Sequence, residues 1–517
     1  MAANSLGQIQ HIVVLMLENR SFDNALGWLY DPANPSPFNR IPPPNFEGLY
    51  GKALSNPKPG GTPAPAAKGS VLTDPNPDPG EPYEDVYCQI YGQPSAPSPI
   101  PSPPTLPCDM QGFVYNYAAQ KEVIAKKVDP GIIMNCFTPA SLPVLSSLAY
   151  YYGVCDHWFS SIPSQTLCNR SFAHAGTSSG YVNNGGANGI LFINDTPTIF
   201  DLLETAKKSW KVYCDGLLIT SLALLTQEPV WRFFLNDRNN HFGHLEDFVA
   251  EAGQPGGLPA YSFIEPIYID TPGRGAENDM HPESNWFHPD GLSNLEAGER
   301  LLYRVYSAVR GSPDWNSTLL IILFDEHGGC YDHVCPPAAP KCTLAVSPDG
   351  KVIPPGQPGG TGFTFDRLGV RVPAIIVSPF TQAQTIANDC FDHTSVLTTV
   401  INCFHLSGNL GKRQQAAPDV GSALRLAQPR SDQPPIAAPG PPKVAGDRAL
   451  STAQALVKAK QKPLSELQRR ILAGAALRMG EPQADVAGLG NALDGAAYLM
   501  KQEAEAHLRR SRNLGMP

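Results

Sequence analysis

The chain is predicted to be an α/β protein with a central, largely parallel sheet flanked by helices. Three observations predict this. Short apolar, β-branched runs recur along the chain. They alternate with stretches of helical apolar spacing. Two of them end in acidic or amide side chains, as strands do where a ligand lies beyond their carboxyl ends.

The first run is His11–Leu17 (HIVVLML), a buried strand by composition, ending in Glu18-Asn19. Residues Ala140 to Tyr152 have helical spacing, and a further helix is expected to start around Asn169. Thr198 to Ala206 predicts a helix that leads into a strand at Trp210 to Tyr213. Leu295 to Arg310 is amphipathic and precedes the buried strand Leu319 to Phe324, which ends in Asp325-Glu326. Val370 to Val377 is a further strand candidate.

Between residues 31 and 108 the chain is dense in Pro, Gly, Ser and Asn. The stretches NPSPFNRIPPPN, NPKPGGTPAPAAKG and PSAPSPIPSPP argue against regular elements. A long surface excursion is expected there, within a catalytic domain spanning 1–428. A Pro-rich linker follows at 429–446. Residues 447–517 read as a small helical appendage, with i, i+4 apolar spacing from Ser465 to Ile471.

The net charge of −9 argues against a polyanion-binding surface, so nucleic acid is not expected as a partner. An acidic protein that acts on an anionic ester must place a cation, or several His and Arg, where that anion sits. The amino terminus lacks a basic n-region and an A-x-A-like cleavage site, and its apolar run is too short to span a bilayer. A cytoplasmic protein, or one exported by a non-classical route, is the expectation. Eleven scattered cysteines do not look like a disulfide scaffold, and Cys330, Cys335 and Cys342 are irregularly spaced for zinc.

Four groups of residues can carry chemistry. Glu18 and Asn19 offer oxygen to a hard cation, although they also suit a strand-to-loop turn. Asp325-Glu326-His327-Gly328-Gly329 puts adjacent acids at a strand mouth, which is costly without a cation or hydrogen bonds. Oxygen ligands alone favour Mg, Ca or Mn. The segment Ser161 to Arg170 is a Pro-containing loop leading into a helix, where Thr166 can face an anion held by free N–H groups; an ordinary cap is the alternative. His281, His288, His333 and His393 lie in Pro- or Asp-rich contexts, where each can move a proton or pack.

Taken together, HIVVLMLENRSFDN, PDPGEPYEDVYCQIYG, LPVLSSLAYYYGVCDHWFSSIPSQTLCNRSFAHAGTSSG, YSFIEPIY, DWNSTLLIILFDEHGGCYDHVCPP, RLGVRVPAIIVSPF and FDHTSVLTTV, in that order, resemble a phosphoesterase family. It contains bacterial and plant phospholipases C and related acid phosphatases, and looks like a branch of the alkaline phosphatase superfamily. The resemblance implies one divalent metal on Glu18, Asn19, Asp325 and Glu326. It implies Thr166 as a nucleophile that forms a phosphothreonine, with His281 or His288 assisting the leaving group. Asn169, Arg170, His333 and Glu81 fall at substrate-binding positions. The chain departs from the family at Glu81, where a His is frequent, and at Cys168, where a Pro is usual. Phospholipase C action on a phospholipid is the leading expectation. Broad phosphomonoesterase action and an inactive binding scaffold are the alternatives. Peripheral membrane contact and oligomeric state are left open, although the mixed charge of the appendage favours interior packing.

Overall fold

A computed structural model describes residues 5–185, 193–271, 275–282, 293–340, 363–440, 460, 463–481, 486 and 488–513. An eight-stranded sheet forms the centre. In chain order its strands are β1 (His11–Leu17), β2 (Gly153–Cys155), β3 (Trp210–Cys214), β4 (Phe242–His244), β5 (Tyr261–Glu265), β6 (Thr318–Phe324), β7 (Ala374–Val377) and β8 (Thr385–Ala387). Across the sheet they run β8-β2-β7-β6-β1-β5-β3-β4. All pairings are parallel except the two made by β7, which runs against β6 and β2.

The two strands with acidic ends are neighbours in register, with Leu17 opposite Phe324. Every residue of β6, and every residue of β1 after His11, is buried. Both strands are covered on both faces, which is why they read as unbroken apolar runs rather than as alternations. That shared register places Glu18 and Asp325 side by side.

Helices cover the sheet at Pro143–Tyr151, Thr166–Ala175, Ile199–Thr205, Asn294–Gly311 and Thr394–Phe404. Asn294–Gly311 opens with a capping box in which Ser293 and Glu296 satisfy each other's backbone. Its buried Glu299 accepts from Val144 N and Leu145 N, capping the neighbouring helix Pro143–Tyr151.

Two expectations are corrected. The excursion is not free of regular structure. Ser55–Asn56 pairs with Ala64–Pro65, Ala67–Gly69 pairs with Asn135–Phe137, and Tyr83–Tyr91 is a helix. Phe38, Phe46, Leu49 and Ile100 anchor it in the core. The cysteines are also used differently. Cys335 forms a disulfide with Cys108, joining the end of the excursion to the loop after β6. Cys330 is buried and free, and Cys342 lies outside the described residues.

The described part of the carboxyl-terminal segment is helical at Glu466–Met479 and Ala492–Asn513. It docks on the part of the chain that carries the central sheet. Gln468 donates to Tyr268 O and Glu277, Arg478 pairs with Glu228, and Arg238 pairs with Glu503. Ile471, Leu472, Ala475 and Ala476 are buried there. Among the described residues no helix is long and apolar enough to cross a membrane.

His174 illustrates the character of the interior. It is fully buried against Phe200 and Phe263, and neither ring nitrogen has a hydrogen-bond partner. Burial, and then the charge of Arg170, push its imidazole down to about 3. The unfolded chain takes up this proton near the ordinary value of about 6.5, so the stability that neutral His174 confers is present above that pH and is lost as pH falls below it. His174→Phe is therefore expected to flatten the fall of melting stability between pH 7 and pH 5, a difference of roughly 2 kcal/mol at the lower end. Parallel Tm–pH curves for variant and wild type would contradict this.

Candidate active site

The site forms where β1 and β6 end. Asn19 sits in the left-handed region, at φ 56°, which turns the chain sharply after Glu18. Its backbone N–H donates to Asp325 Oδ1 at 3.0 Å, and Glu326 N donates to the same oxygen at 2.7 Å. Gly328 N donates to Glu326 Oε2 at 2.7 Å. Gly328 itself adopts φ 62°, and a Cβ there would lie 2.1 Å from Asn19 O, so only glycine lets the two loops close on each other.

Thr166 is the first residue of the helix Thr166–Ala175, which begins three positions before the start expected near Asn169. Its hydroxyl lies 3.3 Å from Glu18 Oε2 and 3.4 Å from Asn19 Oδ1. The N-cap residue Gln165 makes no capping bond with its own side chain. Asn184 supplies one instead, accepting from Leu167 N at 2.8 Å. Thus the hydroxyl, the helix start and the four oxygen-bearing residues converge, although Glu18 and Asp325 are 307 positions apart in the chain.

Arg170 lies one helical turn after Thr166 and is fully buried. Its guanidinium is 2.5 Å from Glu18 Oε1, donates to Asp325 Oδ2 at 3.1 Å, and bonds Met16 O and Leu17 O. In this arrangement it is a buried counter-charge to the carboxylates. Asn169 likewise faces protein groups. Its amide accepts from Ile162 N and donates to Ile162 O, Ser164 O and Gln165 O, so it braces the loop before Thr166. His333 is drawn elsewhere, with Nδ1 at 2.5 Å from Asp23 and Nε2 at 2.8 Å from Glu47. Asp23 and Asp332 are paired there with Arg371, so that network is already compensated.

Glu81 does reach the site. Its Oε1 accepts from Asn19 Nδ2 at 2.5 Å and lies 3.5 Å from His281 Nε2. His281 Nε2 is 3.0 Å from Asn19 Nδ2, and its Nδ1 is 2.6 Å from Pro282 O. Burial lowers the His281 imidazole, but Asp78 and Glu81 outweigh it and lift it to about 9. His288 lies outside the described residues. His393 donates from Nε2 to Asp325 O at 2.5 Å while its Nδ1 accepts from Trp158, so it orients the strand end.

The side chains at 18, 19, 325 and 326 are of the oxygen-donor types that a hard divalent cation takes. Glu326 Oε1 is buried with no hydrogen-bond partner. Burial first, and the charge of Asp325 next, hold the Glu18 and Glu326 carboxyls well above the usual range. Three crowded carboxylates and a carboxamide are the donor set of a hard cation.

Two contributors escaped the sequence reading. Glu265, at the end of β5, accepts from Leu222 N and Ala223 N and stands 4.0 Å from Arg170. Its position at a strand end was the available signal. Asn184 had no local signal at all.

Residues 9–407 match the Phosphoesterase family. The chain belongs to this family. Among curated relatives, the phosphoesterase is 32% identical to "Non-specific phospholipase C3" of Arabidopsis thaliana, over 98% of this chain and 90% of that one. It is 34% identical to "Non-specific phospholipase C6" of the same plant, over 92% and 81%. It is 27% identical to "Phospholipase C B" of Mycobacterium tuberculosis, over 76% and 73%. The phosphoesterase is a phosphoric ester hydrolase, with a phosphoester as substrate.

Proposed function

We propose that this phosphoesterase is a metal-dependent phospholipase C that cleaves phospholipid phosphodiesters through a covalent phosphothreonine. The observation that carries the reading is the placement of the Thr166 hydroxyl, 3.3 Å and 3.4 Å from Glu18 and Asn19, at the start of a helix. The names of the relatives that match most of the chain support the choice of a phospholipid diester.

Glu18, Asn19, Asp325 and Glu326 would hold a divalent cation, which supplies Lewis acidity toward a hydroxyl and a phosphoryl oxygen. The remaining work belongs to the chain. The helix start presents N–H groups to the phosphate. Thr166 Oγ forms a bond to phosphorus as the bond to the diacylglycerol oxygen breaks, and His281 or His288 protonates that oxygen. Water then attacks phosphorus and releases the phosphorylated head group, returning the threonine hydroxyl. Arg170 and Asn169 hold the carboxylates and the loop in register throughout.

The test compares p-nitrophenyl phosphorylcholine with p-nitrophenyl phosphate, each with chelator and then with restored divalent ion. The diester is expected to be turned over faster, with activity lost on chelation and regained on metal addition. A faster monoester would replace the phospholipase reading with a phosphatase one. Activity indifferent to exhaustive chelation would remove the metal.

A further inference from the structure

A second group of ligand-type side chains borders the first. Asp78, Glu81 and His281 each offer a ligand atom, and these atoms lie within 4.8 Å of one another. All three side chains are mostly buried, Asp78 at 25% exposure, Glu81 at 10% and His281 at 13%. Asp78 and Glu81 come from the excursion and His281 from the loop after β5, so folding alone brings them together.

Two independent observations mark this group as short of positive charge. Asp78 Oδ1 is buried with no hydrogen-bond partner, the nearest ring nitrogen of His281 being 3.7 Å away. Glu326 Oε1, fully buried and likewise unpartnered, belongs to a carboxylate whose charge bears on both Asp78 and Glu81. The carboxylates of Glu18, Asp78, Glu81, Asp325 and Glu326 thus converge on one interior. Glu265 and Asp279 add to this charge, so even with Arg170, Arg20 and a protonated His281 counted against it, a single dication leaves buried negative charge uncompensated. The other acid–histidine group, Asp23 with Asp332 and His333, lacks this feature because Arg371 already pairs with both acids.

We propose that Asp78, Glu81 and His281 form a second divalent-cation site, adjoining the one at Glu18, Asn19, Asp325 and Glu326. The inference rests on the metal-dependent reading above. With Nδ1 of His281 held by Pro282 O, Nε2 is the nitrogen that faces Glu81, and a cation there would displace its proton and its contact with Asn19 Nδ2. Two carboxylates and an imidazole favour a borderline ion such as zinc over calcium, unlike the oxygen-only first site. Asn19 bridges the two, with its Oδ1 toward Thr166 and its Nδ2 toward Glu81 and His281. In this role His281 is a ligand, which leaves His288 as the proton donor to the leaving oxygen. Glu81 supplies the carboxylate that faces His281 Nε2, at 3.5 Å.

The test is metal content after equilibrium dialysis of the full chain against Zn²⁺ and Mn²⁺ together, both measured by elemental analysis. Wild type is expected to retain two equivalents per chain. Asp78→Asn, Glu81→Gln and His281→Gln are each expected to retain one, and Asp325→Asn is expected to lose the other. Melting curves close to wild type show that each variant is folded, and using three separate variants covers the failure of any one. One equivalent in wild type, unchanged by Asp78→Asn and Glu81→Gln, overturns the second site and leaves the first standing. Two equivalents retained in all three variants also overturn it. No retained metal in wild type overturns both sites together.

Discussion

Thr166→Ala is expected to lower turnover by on the order of a thousandfold or more, with the melting temperature close to that of wild type. The reason is local. Among the described residues the hydroxyl bonds Glu18 and Asn19, at 3.3 Å and 3.4 Å, so its removal would take away the proposed attacking atom and little packing. The helix start keeps its support, because Asn184 and Asn169 hold the loop and the first turn without help from the threonine side chain. Thr166→Ser, which keeps the oxygen, is expected to retain measurable activity. Acid quenching of wild type during turnover is expected to trap phosphate on Thr166, and the alanine variant should trap none. Near-wild-type rates in purified, folded Thr166→Ala would remove the nucleophile assignment altogether.

Gly328→Ala is the second large effect. The added Cβ would meet Asn19 O at 2.1 Å and Asn19 C at 2.7 Å, both backbone atoms, at a residue already in the left-handed region. Neither loop can yield without moving Asn19, whose N–H is bound to Asp325 and whose side chain faces Thr166. A cost of about 2–4 kcal/mol in stability is expected, together with weaker metal retention. Gly256 is the control. It has φ 66° with nothing near the added Cβ, so Gly256→Ala isolates the backbone cost of about 1 kcal/mol. Equal losses at both positions would mean that the contact with Asn19 carries no weight.

The long, doubly covered strands were legible in the sequence because burial on both faces leaves an uninterrupted apolar signature. β1 and β6 match the expected ranges to within a residue. Strands of three residues, such as Gly153–Cys155, Phe242–His244 and Thr385–Ala387, are too short to show a period, and only their neighbours in the sheet define them. Glu18, Asn19, Asp325 and Glu326 stood out in the sequence as polar groups at the ends of buried strands, which the structure brings side by side. Asn169 and Arg170 were legible as residues belonging with Thr166, but their residue types do not tell whether they face inward or outward. One helical turn below Thr166, on the same face, they meet the loop and the carboxylates. The approach of Glu81 to Asn19 depends on how a Pro-rich excursion folds back, which no local pattern encodes.

The bond between Cys108 and Cys335 closes the intervening chain into a covalent ring. Thr166, Arg170, Glu265, His281, Asp325 and Glu326 all lie on that ring, whereas Glu18, Asn19 and Glu81 lie on the arm leading into it. A single protease cut anywhere on the ring therefore cannot part the pieces. The nicked protein should migrate as one band without reductant and as two with it.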